Sequence, residues 1–186
     1  MVVISGKYRA RKLISLDSTN TRPTSARMKE DMFNILNNYF IYEGKKSLDL
    51  FAGSGALSLE GLSRGVNFAV LNDHYQPAIN IINENFRGVE SWEYAVYQKD
   101  YLQLLELLIL KKDQFDLIYL DPPFSEIEYY FNVFEKILAN NLLKNWGIVV
   151  VECAGKFDLS IANGLTLLKS KAYKNKNLYF FRLERE

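Results

Sequence analysis

From residue 47 onward, apolar positions follow two alternating rhythms. Short runs rich in β-branched and aromatic residues, read as strands, occur at Ser47–Phe51, Asn67–Asn72, Tyr94–Gln98, Phe115–Leu120 and Gly147–Cys153. Between them, apolar residues at helical spacing predict helices over Gly55–Arg64, Gln76–Phe86, Tyr101–Lys111 and Ser125–Asn140. Pro77 suits a first helical turn, and Glu126 and Glu128 suit the positive N-terminal end of the fourth helix. Strand alternating with helix at this spacing predicts βαβ units and a largely parallel sheet. The rhythm breaks at Leu165–Lys169 and Leu178–Leu183, two β-like pieces around a polar Tyr173–Asn177 segment, which read as a closing antiparallel hairpin. Ahead of the core, residues 1–16 read as a short hairpin. Thr24–Phe40 reads as a helix burying Met28, Met32, Phe33, Leu36 and Phe40. The expected division is a basic extension, 1–40, packed on a core domain, 41–186.

With 186 residues, 48% of them apolar, the chain is long enough for one packed core. The net charge of +1 is unevenly spread. Residues 1–30 carry seven basic side chains against two acidic ones, a net of +5, which leaves −4 on the remainder. A basic arm of this kind predicts a phosphate-bearing partner. Lys7, Arg9 and Arg11 alternate at strand spacing, which would put three cations on one hairpin face, and Arg22 and Arg27 flank the entry to the first helix. The lone Cys153 precludes an internal disulfide, and with a single His74 no Cys/His zinc cluster can form, so no metal is expected. No apolar run approaches the length of a membrane span. A soluble, cytoplasmic, monomeric protein is expected.

Two motifs carry candidate chemistry. In "LDLFAGSGALSLEGLSRG" a strand runs through Gly53-Ser54-Gly55 into a helix, so that the backbone can approach a ligand closely. Ser58 stands where a dinucleotide fingerprint has its third glycine, and Asp73 lies 18 residues beyond Gly55, close to the spacing for a ribose-binding acid. Asp49, Asp73, Asp100 and Asp121 all fall at or near carboxyl ends of expected strands, a set that would repel phosphate and suits a cationic nucleoside such as S-adenosylmethionine. The second motif is Asp121-Pro122-Pro123-Phe124. Two prolines remove backbone donors and stiffen the strand end, so the carboxylate and the ring form a rigid lip for a flat polar ligand.

With both motifs placed, the chain resembles amino-methyltransferases sharing a [DN]-P-P-[YF] signature, and more closely the RsmD family of bacterial 16S rRNA guanine-N2 methyltransferases. The resemblance rests on "ISGKYRARKL", "TRPTSARMKEDMFNIL", the glycine-loop segment, Asp73 with "INEN", "KDYLQLL" and "YLDPPF". It implies a class I methyltransferase fold: a mostly parallel seven-stranded Rossmann-like sheet with a C-terminal antiparallel hairpin. It further implies that Asp49, Phe51, Gly53, Gly55, Asp73 and Asp100 bind S-adenosylmethionine. Asp121, Pro122 and Phe124 would act on the target base, with Pro123 beside them. Lys7, Arg9, Arg11, Arg22 and Arg27 would hold 16S rRNA in the small ribosomal subunit or an assembly intermediate. Asp73 stands where the family usually has glutamate, His74-Tyr75 replace a charged pair, and Gly61 replaces an alanine. An adenine-N6 methyltransferase remains open, because the same lip serves either exocyclic amine, as does a non-catalytic RNA-binding module. A nicotinamide-dependent dehydrogenase is disfavoured by Ser58 and the terminal hairpin.

Overall fold

The computed structural model describes residues 1–16, 26–122 and 127–185. Its centre is a seven-stranded sheet of β1 (Lys46–Asp49), β2 (Phe68–Asn72), β3 (Tyr94–Tyr97), β4 (Phe115–Leu120), β5 (Leu143–Cys153), β6 (Thr166–Ala172) and β7 (Asn177–Arg182). They lie in the order β3-β2-β1-β4-β5-β7-β6. The first five run parallel, while β7 pairs antiparallel with both β5 and β6. Chain order reverses between β1 and β4, and in open α/β sheets the crevice at such a reversal is where ligands bind.

Among the described residues, five α-helices cover the two faces: α1 (Ala26–Leu36), α2 (Ala56–Ser63), α3 (Gln76–Asn85), α4 (Tyr101–Leu110) and α5 (Ile127–Ala139). Alternation along the strands sorts the core into two layers. Ala69, Leu71, Leu117, Tyr119, Ile148 and Val150 pack with residues of α1, α2 and α3. Leu48, Val70, Ile118, Leu120, Val149 and Val151 pack with α4 and α5. Val3, Leu13 and Met28 belong to the first layer, so the basic extension is seated on the sheet through apolar contacts.

Three expectations shift in detail. The first helix stops at Leu36 rather than Phe40, since Asn37 and Asn38 continue as a turn, although Phe40 is still buried. Strand β5 starts four residues before Gly147, across an irregularity where Phe115 pairs with Leu143 and Leu117 with Ile148. Trp146 there has φ 66, a left-handed geometry that the apolar pattern does not reveal. The N-terminal hairpin has only one isolated antiparallel bridge, Val2 to Lys12, with turns over residues 5–10, so Lys7 and Arg9 are not on a strand. The hydrogen bonds of Gly6 and Ser63 explain this: Ser63 accepts from the Lys7 N–H, and an added Cβ on Gly6 would lie 1.7 Å from the Ser63 carbonyl oxygen.

Candidate active site

The glycine loop is built by its conformational demands. Gly53 and Gly55 have φ of 54 and 75, in the left-handed region that favours glycine. A Cβ on Gly55 would sit 2.8 Å from Phe86, so this bend is held against α3. The Asp73 carboxylate accepts hydrogen bonds from the Gly53 N–H at 2.9 Å and the Tyr75 N–H at 3.0 Å. Asp73 thus fixes the loop from the end of β2, and each of its oxygens retains acceptor capacity toward a ribose hydroxyl.

Asp49 is buried behind the loop, and Ser58 Oγ donates to it at 3.2 Å. The serine in the third-glycine position therefore serves as a partner for the first acid. Burial pushes the Asp49 carboxyl up to about 7; the Ser58 hydrogen bond opposes this and the nearby Asp73 charge adds to it.

An open cleft lies at the carboxyl ends of β1, β2 and β3 and is lined by Leu50, Phe51, Asn72, His74, Lys99, Asp100, Tyr101 and Tyr129. Phe51, Tyr101 and Tyr129 form an aromatic cluster with ring centroids 4.8–5.5 Å apart. Asp100 caps α4, accepting from the Leu102 N–H at 2.9 Å, and its side of the pocket is exposed. Aromatic faces beside an acceptor carboxylate fit an adenine ring and its amino group.

Asn72 and Asn85 were not among the expected site residues. The buried Asn72 amide donates to the Leu50 and Lys99 carbonyls and accepts from the Lys99 N–H, tying together the ends of β1, β2 and β3. Asn85 exchanges hydrogen bonds with Ile14 and also donates to the Ser54 carbonyl, joining the basic extension to the glycine loop. Both are asparagines within strand or helix runs, where they have low intrinsic preference, and that is the signal that could have flagged them. Asn72→Leu is expected to destabilise the fold by about 1–3 kcal/mol, because it orphans buried backbone groups; denaturant unfolding measures it.

The Asp121-Pro122 corner follows β4 directly. Asp49 pairs with Tyr119 and Leu120 with Val151, so Asp121 leaves the sheet beside the glycine loop on one side and Glu152 on the other. Adjacent strands lie only about 4.8 Å apart, which puts the two motifs on one crevice. Asp121 is partly exposed and Pro122 buried. Pro123, Phe124 and Arg22 lie outside the described residues.

The basic side chains are dispersed. Lys7 pairs with Glu93 at 3.0 Å, where Tyr8 also donates, immediately before β3. This is the amino edge of the sheet, opposite to the crevice. The Arg11 guanidinium lies over the Tyr8 ring and donates to the Asn85 carbonyl. Arg9 and Arg27 are exposed, the latter in the first turn of α1.

An open sheet with a reversal crevice, a glycine bend and an acidic-proline corner defines a class I methyltransferase. The chain belongs to the family described as Conserved hypothetical protein 95, the RsmD family, whose model matches residues 1–182. Ribosomal RNA small subunit methyltransferase D of Haemophilus influenzae is 33% identical over 177 residues, covering 91% of this chain and 86% of that protein. The Escherichia coli protein of the same name is 30% identical over 163 residues, covering 88% and 76%. The solved structure of yhhF from Escherichia coli aligns with a TM-score of 0.84 at 25% identity, covering 100% of this chain and 99% of that one.

Proposed function

We propose that this chain transfers a methyl group from S-adenosylmethionine to the exocyclic N2 of a guanine in small-subunit rRNA. The observation that carries this reading is the adjacency of β1 and β4, which sets the glycine bend and the Asp121 corner across one crevice. The names of the relatives support rRNA as the substrate class.

S-adenosylmethionine supplies an electrophilic methyl group on a positively charged sulfur. Phe51, Tyr101 and Asp100 would hold its adenine, and Asp73 its ribose. The Gly53–Gly55 loop and Asp49 would face its methionine part, where a carboxylate complements the ammonium. On the other side, Asp121 and the Pro122 carbonyl accept the two N–H bonds of the guanine amine. That geometry favours a pyramidal nitrogen with its lone pair directed at the incoming carbon. Pro122 and Pro123 contribute no donors that would compete for Asp121. Phe124 stacks on the base, a contact worth about 1–3 kcal/mol that offsets part of the cost of extruding the nucleotide. Alignment of amine and methyl supplies most of the rate enhancement, a contribution that can reach roughly 7–11 kcal/mol. Arg9, Arg11, Arg22 and Arg27 grip RNA phosphates, and Lys7 does so from the far edge.

Asp49 gives this site a pH dependence. With a carboxyl pushed up to about 7, it is largely neutral at pH 6 and charged at pH 8. A cationic ligand favours the charged form, so cofactor affinity rises with pH through 7 and levels off above it. The expected gain from pH 6 to pH 8 is about tenfold, and Asp49→Asn is expected to flatten it; calorimetric titration across this range checks both.

Incubation with unmethylated small subunits and labelled S-adenosylmethionine, followed by nucleoside analysis, tests the proposed reaction. Label in N2-methylguanosine is the expected product. Label in N6-methyladenosine would reassign the target base, and no label in RNA would remove the rRNA reading.

A further inference from the structure

Asn85, the last residue of α3, stands between the basic extension and the glycine loop, and its side chain bonds to both. It is buried, at 5% exposure. Oδ1 accepts from the Ile14 N–H at 2.8 Å, while Nδ2 donates to the Ile14 carbonyl and to the Ser54 carbonyl, each at 2.9 Å. One amide hydrogen is thus committed to the extension and the other to the loop. Turning the amide over would set Nδ2 against an N–H and Oδ1 against two carbonyls, so its orientation is fixed. The Asn85 main-chain carbonyl also accepts from Arg11 Nη1 at 3.3 Å, which ties a cation of the extension to the same residue.

Both neighbours of this clamp are themselves anchored. Leu13 is buried in the layer that packs with α1, α2 and α3, and Leu16 reaches the loop, since a Cβ on Gly53 would lie 3.9 Å from its Cδ1. Residues 13–16 therefore run alongside the glycine bend. On the loop side, Asp73 accepts from the Gly53 N–H at 2.9 Å and the Gly55 N–H donates to the Ala52 carbonyl at 2.7 Å. Asn85 holds the residue between them, Ser54, from α3, and Phe86, next to Asn85, backs Gly55. Any displacement of the extension strains a side chain that the loop shares.

We propose that Asn85 is a positioning residue that couples the RNA-binding extension to the cofactor loop, so that S-adenosylmethionine and RNA each tighten the binding of the other. The inference rests on the reading above, in which Arg11 meets phosphate and the Gly53–Gly55 loop meets the methionine part of the cofactor. A guanidinium has five N–H donors, so the bond to Asn85 leaves Arg11 others for a phosphate oxygen. Phosphate held there fixes Arg11 and, through the Asn85 carbonyl and side chain, the Ser54 end of the clamp. The cofactor then meets a loop whose ordering is already in place. By linkage, the cofactor strengthens RNA binding by the same factor. The consequence is economy of encounter: the empty enzyme is kept from occupying RNA that it has no methyl group to modify.

Equilibrium dialysis of labelled S-adenosylhomocysteine, with and without saturating unmethylated small subunits, measures this coupling in wild type, Asn85→Ala and Asn85→Asp. Wild type is expected to bind the nucleoside about tenfold more tightly when subunits are bound, within the usual range for coupled sites. Asn85→Ala is expected to bring that ratio to within about twofold of one. Asn85→Asp, which keeps the acceptor for the Ile14 N–H and loses both donors, is expected to do the same. A merely structural asparagine would lower the unfolding midpoint and leave the ratio at its wild-type value, and that result would overturn the proposal. So would a wild-type ratio of one with both ligands bound, whatever the stability of the variants. Wild type that does not bind the subunits at all would overturn the rRNA reading together with this inference.

Discussion

Asp121→Ala is expected to lower methyl transfer about 10³-fold while leaving S-adenosylhomocysteine affinity within about twofold. The magnitude is that of removing one preorganised hydrogen-bond partner from a group whose charge develops in the transition state. The selectivity follows from position. Asp121 lies after β4, whereas the aromatic and acidic residues proposed to hold the nucleoside come from the ends of β1, β2 and β3 and the starts of α4 and α5. Single-turnover kinetics with methylated-nucleoside detection reads the first effect, and titration the second. Near-normal turnover in the variant would remove Asp121 from the chemistry.

The second large effect is on stability. Lys29 and Glu60 are both fully buried and pair at 2.9 Å. Glu60 also accepts from the Ile4 and Ser5 N–H groups and from Arg64, and Lys29 donates to the Val2 carbonyl. This network holds the N-terminal extension and α1 against α2. Glu60→Leu leaves the Lys29 charge and two amides without that partner. It is expected to cost about 3–5 kcal/mol, read as a fall in unfolding midpoint. The double variant Lys29→Met/Glu60→Leu is expected to regain much of the loss, because replacing both members of a buried pair is far less costly than removing one. Burial pushes the Glu60 carboxyl up, but the Ile4 N–H, Lys29 and Arg64 outweigh it and hold it below its ordinary 4.5. Its contribution to stability is therefore full above that value and lost as pH falls through the lowered one, so wild type should show an acid-side loss that Glu60→Leu lacks.

The sheet and its crevice were legible because their signals are local. Apolar runs at strand spacing located every strand, and the break in rhythm after Gly164 announced the antiparallel pair β6–β7. The glycine bend and the acid that fixes it were also visible, as Gly53, Gly55 and Asp73. What escaped was set by pairing across the chain. Lys29 reads as one more cation of a basic arm, yet Glu60, 31 residues away, takes it into the core. Lys7 reads as one cation of a strand face, yet a turn over residues 5–10 and the pair with Glu93 place it at the amino edge of the sheet. Ser58 reads as a defect in a glycine pattern, and only the fold reveals it as the Asp49 partner. Gly61 has a similar cause: a Cβ there would lie 2.8 Å from the Tyr119 hydroxyl.

A crystal structure with S-adenosylhomocysteine bound tests the central claim most directly. The account predicts the adenine among Phe51, Asp100 and Tyr101, and the sulfur in the gap between the Gly53–Gly55 bend and the Asp121 carboxylate. A nucleoside bound elsewhere, or a sulfur turned away from Asp121, would contradict it.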